Sequence, residues 1–213
     1  MGSNMAYEAF ISDDYATALQ ELRPLAEQGD AVAQSALGAM YTKGNGVPQD
    51  DKEAVKLFRL AAEQGLAIAQ HSLGVMYANG SGVPQDNREA VKWYRLAAEQ
   101  GHADAQTNLG VMYENGNGVP QDNREAVKWY RLAAEQGVAV AQYNLGWSYA
   151  NGRGVPRNFV LAHMWANLAS ANGDQLAVKY RDLVAKEMSA ADISTAQSMA
   201  RRCMASNYED CGW

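Results

Sequence analysis

Cysteine, histidine and long apolar runs are all scarce in this chain of 213 residues, which has two Cys and three His. No stretch approaches the roughly 18 consecutive apolar residues that a membrane-crossing helix needs. A formal net charge of −6 without a concentrated Lys/Arg block excludes a nucleic-acid-binding face, because neutralising phosphates takes a basic surface. The spacing CxxC is absent, and the two cysteines lie near the chain's end without the further ligands that zinc would require. No GxSxG elbow or HExxH helix accompanies His71, His102 or His163, so each reads as a surface or rim residue. No catalytic residue, cofactor or metal is therefore expected. The chain also opens without the charged, apolar and small-residue segments of an export leader. Met1-Gly2-Ser3-Asn4 reads as a cloning scar, so the expectation is that a native export signal stood ahead of it.

Glycine is abundant, and its placement is periodic. Gly-Val-Pro begins at Gly46, Gly82, Gly118 and Gly154, a spacing of 36 residues. Such a period marks a repeat array in which helix pairs stack on their neighbours. Residues 5–29 form an N-terminal partial repeat. Residues 30–65, 66–101, 102–137 and 138–173 form four repeats, and 174–213 a C-terminal helical cap with a tail. First helices are predicted over about 30–41, 66–77, 102–113 and 138–149, and second helices over about 51–64, 87–100, 123–136 and 159–172. In the third repeat Ala105, Leu109, Met112 and Tyr113 make one apolar stripe at helical spacing. Gly38, Gly74, Gly110 and Gly146 interrupt such stripes. A mid-helix glycine costs about 1 kcal/mol relative to alanine, so each reads as a notch where another backbone approaches.

Asp50 with Glu53, Asp86 with Glu89 and Asp122 with Glu125 have the spacing of capping boxes. In the fourth repeat Asn158 keeps the cap but Leu161 replaces the glutamate, which predicts a weaker helix start. Trp93, Trp129 and Trp165 share a slot that Leu57 fills in the first repeat, and this favours packing over an aromatic ligand cage. Pro24 lies within the predicted Tyr15–Gln28 helix, with Met5–Ile11 as its shortened partner. Gln175–Met188 and Ala190–Met204 are predicted to be helices closing the end of the stack, the latter capped by Ser189.

The combination Ala105-Gln106, Leu109-Gly110, Met112-Tyr113, Gly116, Gly118-Val119-Pro120, Ala126 and Ala133-Ala134 resembles the Sel-1-like repeat, a relative of the tetratricopeptide repeat. The resemblance covers about residues 5–172. It implies an all-α fold, a right-handed α/α superhelix whose first helices line a concave surface, and an adaptor role. Many bacterial members of that family are exported or envelope-associated, so a periplasmic or secreted location is expected, with a cytoplasmic one as the alternative. Some cysteine-rich secreted relatives bind or hydrolyse β-lactams, and those carry a cysteine pair in each repeat. No repeat here contains cysteine, and that activity is not carried over.

The face opposite the Leu and Tyr stripe distinguishes the repeats. It reads Val32, Ala36, Ala39 and Lys43, then Ile68, Ser72, Val75 and Asn79, then Asp104, Asn108, Val111 and Asn115. The last repeat supplies Val140, Asn144, Trp147 and Asn151, with Tyr143 beside Trp147. A small-aliphatic strip edged by amides suits a peptide or protein partner, with Trp147 as anchor. The expectation is a monomeric, non-enzymatic adaptor with a protein or peptide partner, no nucleic acid and no membrane span. An envelope protein acting on cell-wall or β-lactam-type ligands and a structural spacer are the alternatives.

Cys203 and Cys211 remain. A turn through Ser206 and Asn207 brings them within reach of a disulfide, and the alternative is two separate thiols in a reducing compartment. Thiol titration of the native, non-reduced protein separates these cases: none reacts if the bridge is present, and two react if it is not.

Overall fold

The structure, a computed structural model, describes residues 8–211. Met1–Asn4 and the start of Met5–Ile11 lie outside these residues. The described chain is all-helical, and it divides into two compact units, Met1–His102 and Ala103–Trp213. In unit 1, residues 8–11 are helical. They are followed by α1 (Tyr15–Glu27), α2 (Ala31–Lys43), α3 (Asp51–Glu63), α4 (Ala67–Asn79) and α5 (Asn87–Glu99). Unit 2 holds α6 (Ala103–Asn115), α7 (Asn123–Ala134), α8 (Ala139–Asn151), α9 (Phe159–Ala171), α10 (Gln175–Ala185) and α11 (Ala190–Ala205). The first helices run about two residues past their predicted ends. Gly80 shows why: at φ 71° it takes the left-handed stop after Asn79, and its N–H donates to the Met76 carbonyl.

Each second helix starts on a side-chain cap. Asp50 accepts from the N–H groups of Lys52 and Glu53 at 2.9 and 3.0 Å, and Asp86 and Asp122 repeat the pattern. Asn158 accepts only one N–H, that of Leu161, which agrees with the weaker start expected there. The reciprocal half of the capping box does not form as the spacing suggested. The N–H groups of Asp50, Asp86, Asp122 and Asn158 already donate to the carbonyls of Tyr41, Tyr77, Tyr113 and Tyr149. With that donor occupied by the preceding helix, Glu53, Glu89 and Glu125 turn outward to pair with Lys56, Lys92 and Lys128. Exposed pairs of this kind are screened by water and contribute little to stability.

The glycine notches match expectation in part. A Cβ on Gly38 would lie 2.9 Å from the Phe58 ring, on Gly74 2.7 Å from Tyr94, and on Gly110 2.5 Å from Tyr130. In these three repeats an aromatic ring comes closest, and in the second and third the carbonyls of Ala90 and Ala126 follow at 3.3 and 3.2 Å, the backbone approach expected. In the fourth repeat Ala166 stands where the others have Phe58, Tyr94 and Tyr130, and the Ala162 carbonyl is nearest, 3.0 Å from the Cβ position of Gly146.

Buried glutamines fasten successive helix pairs. Gln70 is 4% exposed; its amide donates to the Ala62 carbonyl at 3.2 Å, and its Oε1 accepts from Gln100 at 2.7 Å. Gln34 makes the same two bonds with Ala26 and Gln64. In unit 2, Gln136 donates to Gln106, and Gln142 bridges Ala134 and Asn172. Tyr208 closes this last set with hydrogen bonds to Asn172 at 2.7 and 3.1 Å.

In unit 2, α10 and α11 pack on α9. Val184, Ala196, Ala200 and Cys203 join Leu145, Met164, Trp165 and Leu168 in one core. Ser189 caps α11 through the Asp192 N–H. Cys203 and Cys211 are buried and disulfide-bonded, their Cα atoms 4.3 Å apart. The tail turns on Asn207 and Tyr208, both in the left-handed region at φ 52° and 70°.

Gly74→Ala is expected to destabilise unit 1 by about 1–3 kcal/mol through overpacking, read as a fall in the urea midpoint. The loss should be smaller in a Tyr94→Leu background, where the ring is gone. An equal loss in both backgrounds would show that the ring is not what the glycine accommodates.

Candidate functional site

The residues of the predicted binding face fall in both units. In unit 1, Ile68 is 55% exposed, Ser72 and Val75 are half-buried and Asn79 is exposed at the end of α4. Ser72 donates its hydroxyl to the Ile68 carbonyl one turn back, a bond that short helical side chains favour. Two shallow depressions occupy this side of the unit. One, of about 290 Å³, is lined by Phe10, Ile11, Val32, Ala36, Ala39 and Ile68; the other, of about 260 Å³, by Ala39, Lys43, His71, Ser72 and Val75. His71 stacks on His102 with ring centroids 4.7 Å apart.

In unit 2, Asp104 and Asn115 are exposed at opposite ends of α6, and Asn108 and Val111 are half-buried between them. On α8, Val140 is 53% exposed, whereas Tyr143, Asn144 and Trp147 are half-buried and Asn151 is exposed. The Asn151 amide donates to the Trp147 carbonyl at 2.8 Å, so this donor is spent on its own helix. The open trough pictured from the sequence is altered at Trp147, because α10 lies beside α8. Tyr180 meets Tyr143 edge-on at 5.4 Å between centroids. Trp147, Phe159, Tyr180 and Leu183 line a cleft of about 490 Å³, with Asn151, Lys186 and Glu187 also on its walls. Burial raises the Tyr180 phenol to about 12, so it remains protonated at neutral pH.

A chain of polar groups holds the indole. The Tyr130 hydroxyl donates to Glu114 Oε2 at 2.7 Å, Glu114 pairs with Arg153 at 4.0 Å, and the Arg153 guanidinium lies 5.0 Å from the centre of the Trp147 ring. Tyr130 is fully buried; burial first, then the Glu114 carboxylate, pushes its phenol pKa well up, so it serves as a fixed donor. Tyr180, Leu183, Lys186 and Glu187 were missed in the sequence because they lie beyond the last repeat, where no period assigns them a face. Of the residues sharing the Trp slot, Trp93 and Trp165 are core residues at 8% and 0% exposure, whereas Trp129 and Leu57 are half-buried.

His163 departs from the expected surface or rim position. It is 2% exposed on α9, and its Nδ1 has no hydrogen-bond partner among the described residues. Burial, reinforced by the positive charge of Arg181 and opposed by Asp182, lowers its pKa below the usual histidine value. Its burial follows from its slot: the residues at the same position of the earlier repeats, Val55, Val91 and Val127, are also buried.

Tandem antiparallel helix pairs with buried inter-pair amides define an α-helical repeat protein of the tetratricopeptide-like class. Residues 31–66, 67–102, 103–138 and 139–174 each match the Sel1 repeat. The chain belongs to the Sel1 repeat family, whose members are commonly protein-interaction scaffolds. Among solved structures it is similar to a protective antigen present in uropathogenic Escherichia coli strains that displays an SLR fold. The two are 35% identical with a TM-score of 0.85, over 92% of this chain and 42% of that one. A Sel1 repeat protein from Oxalobacter formigenes is 37% identical with a TM-score of 0.72, over 79% of this chain and 49% of that one. An immunity protein from Pseudomonas aeruginosa shares the fold alone: 18% identity and a TM-score of 0.55, over 97% of this chain and 81% of that one. The chain thus spans less than half the length of the first two. No curated protein sequence matches it. No described helix is long and apolar enough to cross a membrane.

The lowered His163 pKa has a definite sign in stability. The neutral imidazole is favoured in the folded state, so its contribution is present above the unfolded pKa of about 6.5 and is lost as pH falls through the lower folded value. The melting temperature is expected to drop between pH 7.5 and 5, with a shallower drop in His163→Gln. Parallel curves for the two proteins would contradict this account.

Proposed function

We propose that the protein is a non-enzymatic binding module that holds a polypeptide segment against its first helices, with the Trp147 cleft of unit 2 as the main anchor. The observation carrying this reading is the composition of that cleft. Trp147, Phe159, Tyr180 and Leu183 offer an apolar seat of a size to take one or two large side chains, while Lys186 and Glu187 supply both charges beside it. Arg153 and the Tyr143–Tyr180 contact restrain the aromatic walls before any partner arrives, which limits the entropy lost on binding. A buried aromatic anchor with a polar rim is the usual energetic centre of a protein interface. Within unit 2 the exposed Val140 provides a lesser apolar contact on α8. The disulfide-bonded tail supports a periplasmic or secreted setting, where such bonds persist.

A photo-crosslinker at Asn151 should capture a protein partner that a crosslinker at the exposed Leu132, on a second helix, does not. The purified partner should then bind Trp147→Ala at least about 5-fold more weakly, a loss of about 1 kcal/mol, with helicity unchanged. Equal capture at both positions, or unchanged affinity in the variant, would return the protein to the role of a spacer.

A further inference from the structure

The C-terminal cap encloses a second cavity that shares no lining residue with the Trp147 cleft. It has a volume of about 320 Å³ and is bounded by Asn167 and Ser170 of α9, Arg181 of α10, and Gln197, Arg201 and Met204 of α11. Its charged lining is of one sign. Arg181 and Arg201 face it and no carboxylate does, on a chain whose net charge is −6.

These cations are incompletely neutralised. Arg181 donates Nε and Nη2 to a single oxygen of Asp182 at 3.0 and 2.8 Å, and that carboxylate side chain is 64% exposed, outside the cavity lining. Its Nη1 reaches Asn167 Oδ1 at 3.4 Å, which orients the guanidinium toward α9. Arg201 forms no ion pair among the described residues, whereas its neighbour Arg202 pairs with Asp210 at 3.1 Å. The Ser170 hydroxyl and the Gln197 amide likewise make no hydrogen bond among the described residues. Two guanidiniums from different helices, a hydroxyl and an amide thus line one open pocket. Such a donor set suits the several acceptor oxygens of one oxyanion, because guanidinium presents paired N–H groups in a fixed fork.

We propose that this cavity binds a small oxyanion, a phosphate or an organic carboxylate, clamped between Arg181 and Arg201 with Ser170 and Gln197 as hydrogen-bonding partners. His163 provides an internal reporter. It lies one turn before Asn167 on α9, buried and close enough to Arg181 for that charge to act on its imidazole. A bound anion would offset Arg181 and move the His163 pKa upward.

The test uses the full chain at constant ionic strength, with inorganic phosphate and citrate as probes and sodium chloride as the balancing salt. Millimolar phosphate or citrate is expected to raise the melting temperature and to shift the His163 NMR titration upward. A response to phosphate alone, or to citrate alone, identifies which oxyanion the site prefers. Arg201→Gln, whose side chain is exposed and outside the core, should fold normally and weaken the apparent affinity at least about 10-fold. Arg181→Gln should do the same. No effect beyond that of chloride, or an undiminished effect in Arg201→Gln, overturns the proposal. Because this cavity and the Trp147 cleft have no lining residue in common, failure here leaves the polypeptide-binding reading intact, and the reverse also holds.

Discussion

A buried primary amide must place both its oxygen and its nitrogen, and that requirement governs how the helix pairs stack. Gln70 spends its nitrogen on the carbonyl of Ala62, eight residues back, and its oxygen on Gln100, thirty residues ahead. Gln34 and Gln142 do the same with their own neighbours. Leaving either atom unpaired at this depth would cost about 1–3 kcal/mol. A slip of one helix past another breaks two bonds at each such amide, so register is specified by polar groups even though apolar burial supplies most of the stability. At the C-terminal end of the set the exposed Asn172 donates to Gln142 and exchanges hydrogen bonds with Tyr208, which lies between Cys203 and Cys211 in the disulfide-closed tail.

The apolar interior obeys a related rule of complementary size. A ring at Phe58, Tyr94 or Tyr130 fits over a glycine on the facing helix, and where the ring becomes Ala166 the Ala162 carbonyl and the Trp165 Cβ are the nearest atoms to the Gly146 position. A side chain at any of these glycines would meet an interior that tolerates few voids and little extra volume. The α9 helix then carries an unusual load. It is packed by α8 on one side and by α10 and α11 on others, and its buried residues include His163, Met164, Trp165 and Leu168.

This crowding around α9 is also what builds unit 2's two cavities. The α10 helix presents Tyr180 and Leu183 to the α8 side and Arg181 to the α11 side. Successive residues on a helix point about 100° apart, so one short helix lines an apolar cleft and a cationic cavity at once. Both proposed binding sites thereby fall where the repeat pattern ends. Positions within the repeats are constrained by stacking, while those of the cap are free to carry chemistry that stacking does not require.

Most of the architecture was legible in the chain itself. The 36-residue return of Gly-Val-Pro, the apolar stripes and the Asp caps determined the helix pairs, because each depends on local geometry that near neighbours in sequence settle. The Trp slot read correctly as packing because Leu57 occupies it once. The notch partners and the outward turn of Glu53, Glu89 and Glu125 were decided by residues far away in sequence, namely the aromatic rings and the Tyr41, Tyr77 and Tyr113 carbonyls. The burial of His163 was legible, one period on from the buried Val55, Val91 and Val127, but the walls supplied by Tyr180 and Arg181 were not. Those features depend on where α10 and α11 settle against α9, and no period in the sequence encodes that placement. It follows from satisfying buried groups and filling volume in three dimensions.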